Sequence, residues 1–290
     1  MVAGSNPVAP TISFLPLPPL HAILAYLIAD LGVRLLPARL ADRAGVWVAR
    51  VVFALRPPAR RAVEQNLGRL SPRLAPAARS RRALRAFEHF ALSFTDFLRL
   101  GQRGHGALAG GVEVRGRRHL DAALATGRGV ILLSAHLGNW ERGAAFVAEA
   151  GARLSVVARP HPNPWVERFF RRRRRDAGVV TLEGRPVWTS ACGALRRGEW
   201  VALLGDRSPA GSMSRTSVCA WTAALARRTG ALVLPAVMVR IAPRRYAACF
   251  GAPLTPAQCS AGAYRAAMRR YLKRYPEQWC AFEALPAGWA

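Results

Sequence analysis

Acidic residues are scarce in this chain: 16 Asp and Glu stand against 43 Lys and Arg in 290 residues, a formal net charge of +27. Such a surplus calls for an anionic partner, either nucleic acid or an anionic membrane with its phospholipids. There is no helix-turn-helix, zinc-finger or ribonucleoprotein motif, and the aromatic residues are spread through apolar segments rather than interleaved with arginine. No nucleic-acid partner is therefore expected, and the membrane is the better reading. Part of the surplus is compositional, since Ala, Arg, Gly and Pro are abundant throughout. The five cysteines (Cys192, Cys219, Cys249, Cys259 and Cys280) are odd in number and form no CxxC pair. Neither a disulfide framework nor a common zinc spacing is supported, so no metal or cofactor is expected and the thiols suit a reducing, cytoplasmic compartment. A Gly-x-Ser-x-Gly elbow is also missing, which argues against a serine nucleophile.

With 51% hydrophobic residues and no low-complexity tract, the chain can bury a large core with a small helical preface. From Ile12 to Val33 only His21 and Asp30 are ionisable, close to the roughly 20 apolar residues that cross a bilayer. Pro16, Pro18 and Pro19 interrupt its start, and the cleaner helix runs from Leu20 to Leu36, with Leu20, Leu24, Leu27, Leu31 and Leu35 along one stripe. Asp30 at a bilayer centre would cost about 2.5 to 3.5 kcal/mol, so a tilted or interfacial anchor is expected, with Arg34, Arg39 and Arg43 at the cytoplasmic side. A cleaved signal peptide would need a basic n-region, which is absent. The division expected is a membrane-associated helical segment over residues 1–56 and a second unit over 57–290, with a helical lead-in (57–110) and an α/β core (111–290).

What is present begins with Gly129 to Glu141, where the apolar run Val130-Ile131-Leu132-Leu133 leads through Ser134-Ala135 to His136-Leu137-Gly138-Asn139-Trp140-Glu141. On one continuous helix, residues five apart lie roughly 140° apart, so His136 and Glu141 would not meet. Gly138 relaxes the backbone and Asn139 can cap a helix opening at Trp140, giving strand, turn, helix. His136 then sits at the carboxyl end of a strand, where open α/β sheets place ligands, and Glu141 can fold back to the imidazole, fix its tautomer and make it a general base. For an isolated His and Glu at this spacing, a helix-capping carboxylate and a satisfied turn histidine is the commoner arrangement.

Strands are expected near 112–114, 129–133, 154–158, 179–181, 201–204, 232–239 and 246–250. They alternate with helices near 120–125, 140–150, 165–174, 188–195, 221–229 and 261–275. The class is therefore α/β, a mixed, mostly parallel sheet flanked by helices. Before it, helices are expected over 41–55, 59–67 and 80–100, with Ala83, Phe87, Phe90, Phe94 and Leu98 as a core-packing stripe. Arg171 to Arg175 run all round a helix, so a solvated face is the default, with an acidic carrier or anionic headgroups as the alternative use. His21, His89, His105, His119 and His161 are read as structural.

The string around His136 closely resembles the active-site motif of the bacterial lipid A biosynthesis lauroyl/myristoyl acyltransferases, within the wider His-x4-Asp/Glu glycerolipid acyltransferases. The resemblance extends from about Arg60 to Trp279. It takes in Arg60 to Leu67, Ala86 to Phe90, Gly111 to Gly116, Arg159-Pro160-His161-Pro162-Asn163-Pro164, Gly205-Asp206-Arg207, Thr229 to Pro235 and Pro276-Glu277-Gln278-Trp279. After Asp206 the chain is several residues shorter than the family pattern and lacks its Phe-Phe-Gly stretch, which leaves acceptor and acyl specificity open.

The resemblance implies transfer of a fatty acyl chain from an acyl thioester, acyl carrier protein or acyl-CoA, to a hydroxyl of a lipid A precursor or related glycolipid on the cytoplasmic face of a bacterial inner membrane. His136 and Glu141 are the expected catalytic pair. Arg159, Asn163, Asp206 and Arg207 are the expected substrate-binding residues. For Arg159 an oxyanion donor and a surface salt bridge are both open, as are turn N–H groups for the oxyanion. For Asp206, acceptor binding and bracing of arginines both stand. The Pro-Glu-Gln-Trp segment suggests packing. A phosphatidylinositol-mannoside, other glycolipid or lysophospholipid acyltransferase using acyl-CoA is the second reading, and a non-enzymatic basic membrane- or nucleic-acid-binding protein a distant third.

Overall fold

Each apolar run expected as a strand forms one in the computed structural model, which describes residues 19–100, 111–182, 187–206 and 218–285. Among them, β1 (Val112–Arg115), β2 (Val130–Ser134), β3 (Leu154–Val157), β4 (Val179–Leu182), β5 (Trp200–Leu204), β6 (Leu232–Ala242) and β7 (Arg245–Phe250) make one sheet ordered β1-β7-β6-β2-β5-β3-β4. All its ladders are parallel except β6 with β7, a hairpin turning at Pro243 and Arg244. The sheet is thus mixed and mostly parallel, as expected.

Strand β2 shows why the pattern was readable. Val130 and Leu132 pack with Leu120 and Ala123 of α5 (Arg117–Ala125) and with Ala144 and Val147 of α6 (Trp140–Glu149). Ile131 and Leu133 point the other way, into Leu195 of α8 (Val187–Arg196), Leu225 of α9 (Val218–Thr229) and Met268 of α10 (Ala261–Arg274). A strand covered on both faces reads as an unbroken apolar run. The connection from β2 through α6 to β3 passes over β5, so a crevice opens at the carboxyl ends of β2 and β5.

Four helices precede the sheet: α1 (Pro19–Leu35), α2 (Ala38–Leu55), α3 (Pro57–Leu70) and α4 (Pro76–Arg99). Pro57 and Pro76 sit in first turns, where a missing N–H costs nothing. The α4 stripe packs as expected: Ala83 and Phe87 meet Ala49, Val52, Val63 and Leu67 of α2 and α3, while Phe94 and Leu98 pack in a cluster with Ala145 of α6. Helix α7 (Pro164–Asp176) packs beside α1, with Tyr26 against the rings of Phe169 and Phe170 at 6.2 and 5.5 Å. Burial pushes the Tyr26 phenol up to about 12. Among the described residues no helix is long and apolar enough to cross a membrane.

Candidate active site

The parallel register of β2 and β5 pairs Ser134 with Leu204. Two residues further along each strand, the same register brings His136 beside Asp206. His136 Nδ1 lies 2.7 Å from Asp206 Oδ1, and the His136 backbone N–H donates to Asp206 Oδ2 at 2.9 Å. Trp279 Nε1 donates to the same Oδ2 at 3.0 Å, and Asp206 is fully buried. With Nδ1 protonated toward the carboxylate, the imidazole lone pair lies on Nε2. The Trp140 ring stands edge-on to the imidazole at 5.1 Å, and 13% of the histidine side chain remains accessible.

This geometry corrects the expected pairing. Asp206, not Glu141, is hydrogen-bonded to the His136 ring, and its full burial keeps it from reach of an acceptor. The Pro-Glu-Gln-Trp segment does more than pack, since Trp279 also donates to Asp206. Glu141 instead takes a forked pair of hydrogen bonds from Arg174, at 2.6 Å from Nη2 and 2.9 Å from Nε, and so ties α6 to α7. The next guanidinium along, Arg173, is buried against Asp30 of α1 and donates to the Leu100 carbonyl. Burial lowers its proton affinity and Asp30 restores part of it. Of the five-arginine run, two members therefore serve inside the fold, while Arg171, Arg172 and Arg175 are exposed.

The turn itself is tied at His136, Gly138 and Asn139. Cys280 N–H donates to the His136 carbonyl (2.8 Å), Gly138 N–H to the Gln278 carbonyl (2.9 Å) and Asn139 N–H to the Met238 carbonyl (2.8 Å). The amides of His136, Gly138 and Asn139 are thus committed, which removes them as oxyanion donors. Gly138 has φ +70, and a Cβ there would lie 1.9 Å from the Met238 carbonyl oxygen, so only glycine fits. Asn139 caps α6 as expected, its Oδ1 accepting from Arg142 N–H at 3.0 Å.

The remaining expected site residues divide. Asn163 is buried and caps α7, accepting from the N–H groups of Trp165 (2.9 Å) and Val166 (3.4 Å), which corrects its assignment as a substrate ligand. Arg159 is exposed just beyond the carboxyl end of β3, on the edge of the sheet that carries His136 and Asp206. Arg207 and the shortened stretch after it lie outside the described residues. His161 is buried, which lowers its proton affinity, and its Nδ1 accepts from Asn163 N–H at 3.0 Å.

A histidine and a buried aspartate are thus joined at the ends of adjacent parallel strands of an α/β sheet. The model of the bacterial lipid A biosynthesis acyltransferases matches residues 16–284, and the chain belongs to that family. Phosphatidylinositol mannoside acyltransferases from two strains of Mycobacterium tuberculosis are 31% and 30% identical to it, each alignment covering 52% of this chain and 52% of the relative. The chain spans about half the length of these curated relatives. A crystal structure of the 1-acyl-sn-glycerophosphate acyltransferase PlsC of Thermotoga maritima is 14% identical, covering 82% of this chain and 95% of that one with a TM-score of 0.37.

Proposed function

We propose that the protein is a membrane-associated O-acyltransferase that moves a fatty acyl chain from an acyl thioester to a hydroxyl of a phosphate-bearing glycolipid. The observation that carries this reading is the His136–Asp206 pair. Nε2 of His136 takes the proton of the acceptor hydroxyl as its oxygen attacks the thioester carbonyl carbon, and Asp206 stabilises the imidazolium that forms. Collapse of the tetrahedral intermediate breaks the C–S bond, and the imidazolium returns the proton to the departing thiolate. No acyl-enzyme is needed. Arg159 is the proposed donor to the oxyanion, since the turn amides of His136, Gly138 and Asn139 are engaged. Glu141 acts at one remove, by holding Arg174 and with it the α6–α7 wall.

The outward faces of α1 and α2 support the membrane part of the reading. Leu20, Leu24, Leu27, Leu31 and Leu35, the stripe visible in the sequence, are all exposed, Leu20 at 75%, and Trp47, Val48 and Leu55 of α2 are exposed as well. Apolar surface of this extent, bordered by Arg34, Arg39, Arg43 and Arg50, suits a helical pair lying in an anionic bilayer interface. Asp30 turns inward to Arg173 and Arg34, so the anchor needs no buried charge in lipid.

Two acceptors fit this chemistry. A lipid A precursor with acyl carrier protein as donor is the first; a phosphatidylinositol mannoside with acyl-CoA is the second, favoured by the names of the relatives. Thiol release from palmitoyl–acyl carrier protein and from palmitoyl-CoA, with each acceptor, separates them. Release that depends on one acceptor and disappears in His136→Ala is the expected result. Undiminished, acceptor-dependent release in His136→Ala would overturn the mechanism.

A further inference from the structure

The turn that carries His136 rests on a buried polar cluster that the acyl-transfer chemistry does not use. Asp96 of α4 accepts from Arg240 Nη2 at 2.6 Å, from the Tyr246 hydroxyl and, on its other oxygen, from Arg99 Nη1 at 3.0 Å. Arg240 and Tyr246 face each other across the β6–β7 ladder, with the guanidinium carbon 4.8 Å from the ring centroid. Arg142, in the first turn of α6, lies over the same ring at 4.8 Å. The Tyr246 hydroxyl in turn accepts from Asn139 Nδ2 at 3.4 Å, and the same amide donates to the Ser93 carbonyl at 3.3 Å. Gln278 joins the two halves: its side chain makes paired 2.8 Å bonds with the Arg240 backbone while its carbonyl holds Gly138 N–H.

We propose that Asp96, Arg240 and Tyr246 form a positioning unit for the catalytic turn, setting the orientation of the Asn139 amide and through it the placement of His136. The inference rests on His136 being the base. Burying an aspartate and an arginine carries a desolvation penalty that apolar side chains would avoid, so such a cluster is a poor device for stability alone. What it supplies is direction. Burial, and then the charge of Asp96, hold the Tyr246 phenol protonated, so its hydroxyl gives its proton to Asp96 and keeps its lone pairs for Asn139. The Asn139 amide is then fixed on both ends, Nδ2 by Tyr246 and Ser93 and Oδ1 by the α6 cap. Asn139 is three residues from His136 and two from Glu141, so a swing of this amide moves the whole motif. Base catalysis is sensitive to such movement, because the acceptor oxygen must lie within hydrogen-bond reach of Nε2.

Tyr246→Phe keeps the ring under both guanidinium groups and removes only the hydroxyl. Thiol release from palmitoyl-CoA or palmitoyl–acyl carrier protein in the presence of the working acceptor should fall about tenfold in kcat, with both KM values within about twofold. Asp96→Asn, which keeps an oxygen for the hydroxyl but loses the charge facing Arg240, should show the same signature and covers the case in which Tyr246→Phe does not fold. Val63→Ala, in the packing of α2, α3 and α4 away from the turn, is the comparison: a similar drop in thermal midpoint with kcat within about twofold of the parent. Unchanged kcat in the cluster variants, a loss confined to KM, or an equal kcat loss in Val63→Ala would overturn the proposal. His136→Ala tests the underlying reading separately: full activity there removes the base, and the positioning role with it, whatever Tyr246→Phe does.

Discussion

His136 and Asp206 meet because β2 and β5 run side by side in parallel, and each strand delivers its titratable group two residues past the last paired position, Ser134 on one and Leu204 on the other. The 2.7 Å contact between Nδ1 and Oδ1 sets the tautomer on which base catalysis depends. Asp206→Asn preserves shape but can offer an N–H where the carboxylate accepted one, which favours the opposite tautomer. A fall in kcat on the order of 10³- to 10⁴-fold with an intact fold is expected. Steady-state thiol release alongside far-UV circular dichroism checks it, and a loss smaller than about tenfold would mean that the pair does not act as a unit.

The Glu141–Arg174 pair makes a different prediction, on stability. Both side chains are largely buried, 15% and 13% accessible, so removing either charge breaks an ion pair held away from solvent. Glu141→Gln or Arg174→Gln should each cost about 3 kcal/mol. The double variant should cost less than the sum, with a coupling of about 1 to 3 kcal/mol. Urea unfolding of the four proteins measures it, and additive losses would show that the fork contributes no pairwise energy.

These two pairs also mark how far the sequence could be read. Strands covered on both faces, such as Val130 to Leu133, and caps such as Asn139 are local signals, and the order of elements followed from them. Local spacing also made Glu141 attractive as the partner of His136, whereas the real partner lies 70 positions on and depends on which strands become neighbours and in what register. Trp279 reaches Asp206 from the far end of the chain, with no local trace. Asn163 is different, since an asparagine directly before Pro164 is a cap signature, and the sequence held enough to assign it. The leucine stripe of α1, read from the sequence as the face of an interfacial anchor, is exposed along its length, although periodicity identifies a face without saying what it meets.

Acid should weaken the fold through His89. Burial first, and then the charge of Arg240 with a smaller push from Arg85, lower its proton affinity below the ordinary histidine value, against the opposing pull of Glu277 and Glu88. The unfolded chain therefore binds a proton more readily than the folded one. Stability is full above the ordinary value of about 6.5 and declines as pH falls below it, until the folded group also titrates. Buried His161 acts in the same direction. Thermal midpoints recorded from about pH 7 down to about 5 should fall for the parent and fall less for His89→Gln, leaving the His161 contribution. Parallel curves for the two proteins would show that His89 carries none of the dependence.

The outward face of α1 and α2 can be tested apart from the chemistry. If it lies in a bilayer interface, its leucines lose water-exposed area on docking, while Arg34, Arg39 and Arg43 draw the helices toward anionic headgroups. Placing charge on the stripe should then be costly for docking but not for folding, since Leu27 and Leu31 are already 49% and 55% exposed in the fold. Leu27→Glu with Leu31→Glu should reduce flotation with phosphatidylglycerol-containing vesicles by at least about tenfold, and should leave acyl transfer to a detergent-dispersed acceptor within about twofold of the parent. Salt should weaken the parent's vesicle binding only partly, because the apolar contribution is not screened. Undiminished flotation of the double variant would remove the interfacial role from this face. Binding abolished by salt in the parent would assign docking to the arginines alone, leaving the exposed leucines without that function.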